Sequence, residues 1–311
     1  MAEWIDLVDP DEAAVREAAP TDLHPDVVEH LAHRPSTEDE LPRPRLETHG
    51  DYVWGVFLAA KVDRERDRVF YQEVDVVLTE DRVVTVRKTP PSGEEPFDPA
   101  HLREACARGE PLAGMILYHL VDEVGDRYLE LVDDLNAEID ELEDDIDRAP
   151  TVEIRRRLSD LRHDMLTIRR SLGPTRDAVR AVADDRIELE GGHLFSRDKP
   201  RLFPPEVDLR FFSAYDKIMR AYEGLELSRD LAAGARDYLQ AKIANDQSEV
   251  TKQLAAIGSI LLVPTFIVGV YGQNFDHMPE LHWYLGYVWS WGIIVLSTVG
   301  QVIFFKKRGW L

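Results

Sequence analysis

The 311-residue chain carries 59 acidic against 37 basic side chains, a formal charge of −22. That balance excludes a nucleic-acid partner, which needs a basic face, and favours surfaces that attract cations. With 31% charged residues the chain is too polar to lie mainly in lipid, so membrane-embedded parts must be local, and its single cysteine, Cys106, excludes a disulfide framework or a Cys-rich zinc site.

Met1-Ala2-Glu3-Trp4 opens without the basic stretch and apolar run of a signal peptide, so the N-terminus is expected to stay in the cytosol. Residues 1–110 read as a cytosolic α/β domain. Trp4 to Val8 is a short strand, and Asp9-Pro10-Asp11 caps a helix from Glu12 to Ala18. Tyr52 to Val62, Val69 to Leu78 and Arg82 to Arg87 are rich in Val, Phe and Tyr and predict an antiparallel sheet, broken off at Pro90-Pro91-Ser92-Gly93 and Pro96.

Residues 111–204 change to a helical period. Val121, Val124, Tyr128, Leu131, Leu135, Leu142 and Ile146 make an apolar stripe on a very acidic helix ending near Pro150. The next helix, Thr151 to Val182, sets Arg155, Arg156, Arg157, Arg162, Arg169, Arg170 and Arg180 around Ile154, Leu158, Leu161, Met165 and Ile168. An antiparallel acidic–basic hairpin is expected, its exposed ion pairs contributing only about 0.2–1 kcal/mol each.

From Pro205 there is no further proline until Pro264, which predicts one long stalk helix over 205–271. Its last part, Leu254 to Tyr271, is uncharged and, at about 1.5 Å per residue, matches the hydrocarbon thickness of a bilayer. Residues 272–282 form a short outer loop. A second uncharged stretch, Trp283 to Phe305, opens with a belt of Trp283, Tyr284, Tyr287, Trp289 and Trp291, and 306–311 are a basic tail. Lys242, Lys252, Lys306, Lys307 and Arg308 flank the spans, while the loop has Asp276 and Glu280 but no Lys or Arg. Both termini are therefore expected in the cytosol, with a two-span hairpin in the cytoplasmic membrane and its lipid. Neither span carries Asp, Glu, Lys, Arg or His, which excludes a proton relay within the membrane.

Tyr271-Gly272-Gln273-Asn274-Phe275, then Met278-Pro279-Glu280-Leu281, resembles the CorA family of divalent-cation transporters, whose signature is Tyr-Gly-Met-Asn-Phe followed by Met-Pro-Glu-Leu. Gln273 stands where the family has Met. The tail Phe305-Lys306-Lys307-Arg308-Gly309-Trp310-Leu311, the Leu117 to Ile146 helix and Leu23-His24-Pro25 resemble the family's too, so the likeness covers nearly the whole chain. It implies an α+β cytosolic domain, a long stalk helix and two C-terminal transmembrane helices in a funnel-shaped homo-oligomer, a pentamer.

The chemistry of the motif is consistent with this. Mg²⁺ gives up its waters reluctantly, so neutral acceptors can hold it hydrated. Asn274 offers an amide carbonyl to coordinated water, and Gly272 allows the tight turn that ends a helix. The bland alternative is that Asn274 only caps the helix. Gly272, Gln273 and Asn274 form the candidate selectivity filter. Ser248, Thr251, Leu254, Gly258, Leu262, Thr265 and Gly269 recur every three or four residues and can line a narrow pore or serve small-residue packing in lipid. The resemblance selects the pore, with Leu254 and Leu262 as apolar gate rings. It also implies Mg²⁺ as regulatory ligand between neighbouring cytosolic domains. There the family's Phe-x-Asp-x-Tyr-Asp appears as Phe211-Phe212-Ser213-Ala214-Tyr215-Asp216, leaving Asp216 and Asp98 as candidate carboxylates.

The reading is channel-like transport of hydrated divalent cations, chiefly Mg²⁺ with Co²⁺ or Ni²⁺ also admitted, gated by cytosolic divalent-cation binding. No nucleophile constellation, nucleotide-binding glycine loop or metal-hydrolase spacing occurs, so no enzyme and no organic cofactor is expected. The rivals are a Zn²⁺ transporter of the same superfamily, which His277 and His282 would suit, and a membrane-tethered cation sensor without flux.

Overall fold

The computed structural model describes residues 2–63, 68–108, 112–184, 187, 202–273 and 276–311. They form two compact units, Met1–Ala235 and Arg236–Leu311. In the first, β1 (Glu3–Val8), β2 (Arg45–His49), β3 (Tyr52–Asp63), β4 (Arg68–Leu78) and β5 (Arg82–Arg87) make one sheet in the order β1-β5-β4-β3-β2. The β2–β3, β3–β4 and β4–β5 pairings are antiparallel. β1, whose orientation the sequence left open, runs parallel to β5, with Trp4 opposite Val83 and Asp6 opposite Thr85. Side-chain chemistry holds that pairing in place. Asp6 accepts from Arg87 Nε at 2.9 Å and from Arg87 Nη2 and Arg103 Nη2 at 2.8 Å each, a bidentate charge-assisted clamp.

The sheet is covered on both faces, which explains why β3 is buried continuously from Tyr52 to Ala60 instead of alternating. On one face α1 (Glu12–Ala18) and α2 (Pro25–Ala32) bring Val15, Ala18, Val27, Val28 and Leu31 against Trp54, Val56, Val77, Val84 and Val86. Asp11 caps α1 as its sequence predicts, accepting from Ala14 N at 2.8 Å. α2 starts with Pro25 in its first turn, after His24, whose Nδ1 accepts from Asp26 N at 3.3 Å. α3 (Ala100–Ala107) and α4 (Ala113–Asp145) follow, and α4 packs on β3.

α4, α5 (Thr151–Ala183) and the start of α6 (Pro205–Tyr271) form a three-helix layer. All seven stripe residues expected on the acidic helix are buried. The acidic–basic hairpin forms as expected, with Arg157 Nη1 2.9 Å from Asp145 and Nη2 3.8 Å from Glu141. α6 runs parallel to α4: Lys217 Nζ lies 2.6 Å from Asp122 and 2.8 Å from Asp126, and further along Ser228 Oγ donates to Asn136 at 2.7 Å. Between these points the helices approach closely at Gly224, where a β-carbon would stand 2.8 Å from Val132 Cγ1.

Two glycines in α6 therefore predict opposite outcomes. Ala adds up to about 1 kcal/mol of helix propensity at either site. At Gly234 a β-carbon meets nothing within 4 Å, so Gly234→Ala should raise the unfolding midpoint. Gly224→Ala adds overpacking of about 1–3 kcal/mol and should unfold below Gly234→Ala in a thermal melt of the detergent-solubilised chain.

Candidate functional site

The second unit holds the last part of α6, a 3₁₀ turn at Pro279–His282 and α7 (Gly286–Lys307). Both helices have a window long and apolar enough to span a bilayer, and only 6% of each such window is buried. Two core helices of a soluble protein would be mostly buried, so these faces are built to meet lipid or other helices. Along α6, Ser248, Thr251, Leu254, Gly258, Leu262, Thr265 and Gly269 are all exposed in the single chain, Leu254 at 64% and Leu262 at 69%. Their small members leave open space, since β-carbons at Gly258 and Gly269 would meet nothing within 4 Å.

The two threonine hydroxyls on this stripe are satisfied within the helix. Thr251 Oγ1 donates to Gln247 O at 2.8 Å and Thr265 Oγ1 to Leu261 O at 2.7 Å, each a bond back to the fourth preceding residue. They offer lone pairs without leaving an unpaired donor in an apolar surrounding. Pro264 lies inside α6 and removes the N–H that the carbonyl of Ile260 would otherwise receive. The Ile260 carbonyl thereby lacks its usual helical partner in the middle of the apolar stretch.

At its end α6 tightens. Gly272 N donates to Val268 O at 3.0 Å, and Gln273 N reaches back three residues to Val270 O at 3.3 Å. The expected glycine turn takes a different form, because Gly272 is not among the residues with positive φ, and a β-carbon there would sit at ordinary distances of 3.4 and 3.6 Å from the Val268 and Gly269 carbonyls. A 3₁₀-type closure ends the helix in place of a left-handed cap. Asn274, third of the candidate filter residues, lies outside the described residues. In the loop between the two helices Asp276 and His277 are exposed and Glu280 is half-buried in the 3₁₀ turn, where its carbonyl accepts from Trp283 N at 3.3 Å. His282 Nδ1 lies 3.3 Å from Met278 O. Gly286 is where the loop presses on α7, since a β-carbon would fall 2.1 Å from Glu280 O. This contact fixes the start of α7 at Gly286 and leaves Trp283 and Tyr284 ahead of the helix; Phe305, near its end, stacks on Trp310 at 5.6 Å.

Comparison with known proteins matches residues 2–307 to the family described as CorA-like Mg²⁺ transporter protein. The chain belongs to the CorA-like Mg²⁺ transporter family. A CorA relative, the cobalt/magnesium transport protein of Thermotoga maritima, is 28% identical over 292 residues, covering 93% of this chain and 77% of the relative. Among solved structures, the complete CorA magnesium transporter of Methanocaldococcus jannaschii superposes with a TM-score of 0.77 at 18% identity, over 99% of this chain and 91% of that one. The ZntB cytoplasmic domain of Vibrio parahaemolyticus superposes with a TM-score of 0.54 at 15% identity, over 79% of this chain and 89% of its own.

Within the CorA-like chain the two candidate regulatory carboxylates occupy exposed positions of the first unit. Asp98 accepts from Ala100 N at 3.0 Å beside the start of α3, and Asp216 faces Arg220 on α6 at 3.5 Å. Ser213 is exposed on the same helix. Both acids have local structural work, Asp98 in bonding to the backbone just ahead of α3, whose N-cap is Pro99, and Asp216 as an i,i+4 partner. The chain also holds a charged group that the sequence reading overlooked: Glu73 and Asp75 of β4, with Lys88 and His30, lie in the interior. Its signal was there to read, Glu73 and Asp75 spaced two apart in a strand otherwise rich in Val, Phe and Tyr.

Proposed function

We propose that this CorA-like chain conducts hydrated divalent cations, chiefly Mg²⁺ with Co²⁺ and Ni²⁺ also admitted, across the cytoplasmic membrane as a homo-oligomer, a pentamer, with both termini in the cytosol. The observation that carries the reading is the exposed stripe from Ser248 to Gly269, uncharged through the apolar stretch and ending at Gly272 and Gln273. Two spanning helices from one chain cannot enclose water, so several copies of α6 must surround the path. In that arrangement the exposed Leu254 and Leu262 become apolar rings that close the path by dewetting, while Gly258, Thr265 and Gly269 supply room and neutral acceptors. Gly272, Gln273 and Asn274 form the outer filter, where amide and backbone carbonyls accept from water bound to the ion and spare it dehydration. Asp276 and Glu280 raise the local cation concentration at the mouth.

The names of the relatives support Mg²⁺ and Co²⁺ as cargo. The likeness to the ZntB cytoplasmic domain, together with His277 and His282 in the outer loop, supports a second reading as a Zn²⁺ transporter. Regulation is assigned to divalent cations bridging carboxylates of neighbouring subunits, with Asp98 and Asp216 as ligands, and Ser213 in place of an acid weakens that feedback by one negative charge per site.

Three measurements in proteoliposomes test these assignments, each with an internal indicator and an inside-negative potential. Asn274→Ala should lower Mg²⁺ entry about tenfold or more, equivalent to about 1.4 kcal/mol of added barrier, and competition by Zn²⁺, Co²⁺ and Ni²⁺ ranks the ions; Zn²⁺ entry without Mg²⁺ entry would select the second reading. Leu254→Ser should leak under internal Mg²⁺ that closes the wild type, whereas normal closure would remove the gate. Asp216→Ala should need more internal Mg²⁺ to close, and unchanged sensitivity would exclude Asp216 from regulation.

A further inference from the structure

His30 on α2 faces the sheet at a place where charge is buried. Glu73 and Asp75 are 2% and 0% exposed, Lys88 is 3% exposed, and His30 sits at the rim at 21%. The Lys88 ammonium has three protons and three neighbours: it donates to the His30 carbonyl at 2.8 Å and to Glu73 Oε1 at 2.6 Å, and pairs with Asp75 Oδ2 at 2.9 Å. Glu73 Oε2 and Asp75 Oδ1 remain buried without a hydrogen bond. His30 Nε2 stands 3.3 Å from Glu73 Oε1 and 3.4 Å from Asp75 Oδ1.

With His30 neutral the group holds two negative charges against one positive, and a second proton on the imidazole brings it to neutrality and adds attraction to both carboxylates. A metal ion fits the balance less well, because the ammonium already lies against both acids and would repel a dication. The charged groups facing His30 are Glu73 and Asp75 from β4 and Lys88 just after β5, while β3 presents the Trp54 ring edge-to-face at 5.1 Å, itself covered by Arg45 from β2 at 4.2 Å.

We propose that His30, Glu73, Asp75 and Lys88 form a pH-responsive clasp that fastens α2 to the sheet, tight when His30 is doubly protonated and slackened when that proton leaves. Burial by itself would lower the His30 pKa and Lys88 opposes protonation, but the close carboxylates of Asp75 and Glu73 prevail, and the net shift is upward from 6.5. A group raised in the folded state stabilises fully below its unfolded value and loses that contribution as pH climbs through the folded value. Lys88, also raised by the two acids against the opposing pull of its burial, stays charged throughout. The clasp therefore opens on the alkaline side of 6.5, in the range where histidine serves as a physiological switch.

The test is hydrogen exchange of the full chain in detergent, followed at residues 25–32 from about pH 6 to about pH 9 and corrected for the intrinsic rate. Corrected exchange of the wild type should accelerate several-fold across the range, and His30→Gln should be faster at the acidic end and flat. A flat wild-type profile would overturn the proposal, with or without a folded variant. So would a His30→Gln profile that keeps the wild-type slope. Excess chelator must leave the response intact; its abolition would assign the effect to a bound metal and overturn the proton clasp.

Discussion

Inside a bilayer no water is present to satisfy backbone N–H and C=O groups, so a chain spans it as helices or as a closed barrel, and a pair of helices from one chain leaves nowhere for an aqueous path. That constraint organises the second unit. Its two apolar windows are left uncovered, and the departures from uniform hydrophobicity in α6 are kept cheap: hydroxyls bond back to their own helix, glycines create space, and one proline frees one carbonyl. The chain thus offers oxygen without fixed charge, which suits an ion whose hydration shell is costly to strip.

The first unit follows the opposite rule, with charges placed inside and compensated. Asp6 is held by two arginines, Lys217 spans two aspartates of α4, and Lys88 sits between Glu73 and Asp75. Removing one member of such a set strands the others, so these groups fix which strands and helices pair more than they add to stability. The parallel β1–β5 pairing and the parallel run of α4 and α6 are both pinned in this way, by Asp6 with Arg87 and by Lys217 with Asp122.

What could be read from the sequence followed from periodicity and punctuation. The α4 stripe, the length of α6, the Asp11 cap and four of the five strands were legible because each rests on local spacing. The parallel placement of β1 was not, since it depends on Asp6 meeting Arg87 across 81 positions. The short β2 and α3 lacked a pattern long enough to register. At the site, the spacing from Ser248 to Gly269 was visible, but the way α6 ends was not, because glycine at a helix end suggests a left-handed cap and the chain closes with a tighter right-handed turn. The buried quartet escaped notice because its four members come from three separate stretches, and only folding brings His30 within 3.4 Å of Asp75.

The claim on which the account stands is that one face of α6 meets water. Single cysteines placed along residues 248–269, in a chain with Cys106 replaced by Ala, can be challenged in membranes with a water-soluble, membrane-impermeant thiol reagent. The account predicts labelling at 248, 251, 254, 258, 262, 265 and 269, weakest at the two leucine positions when Mg²⁺ closes the path, and protection at 256, 260, 263 and 267. Labelling spread evenly around the helix, or concentrated on the second set, would contradict it.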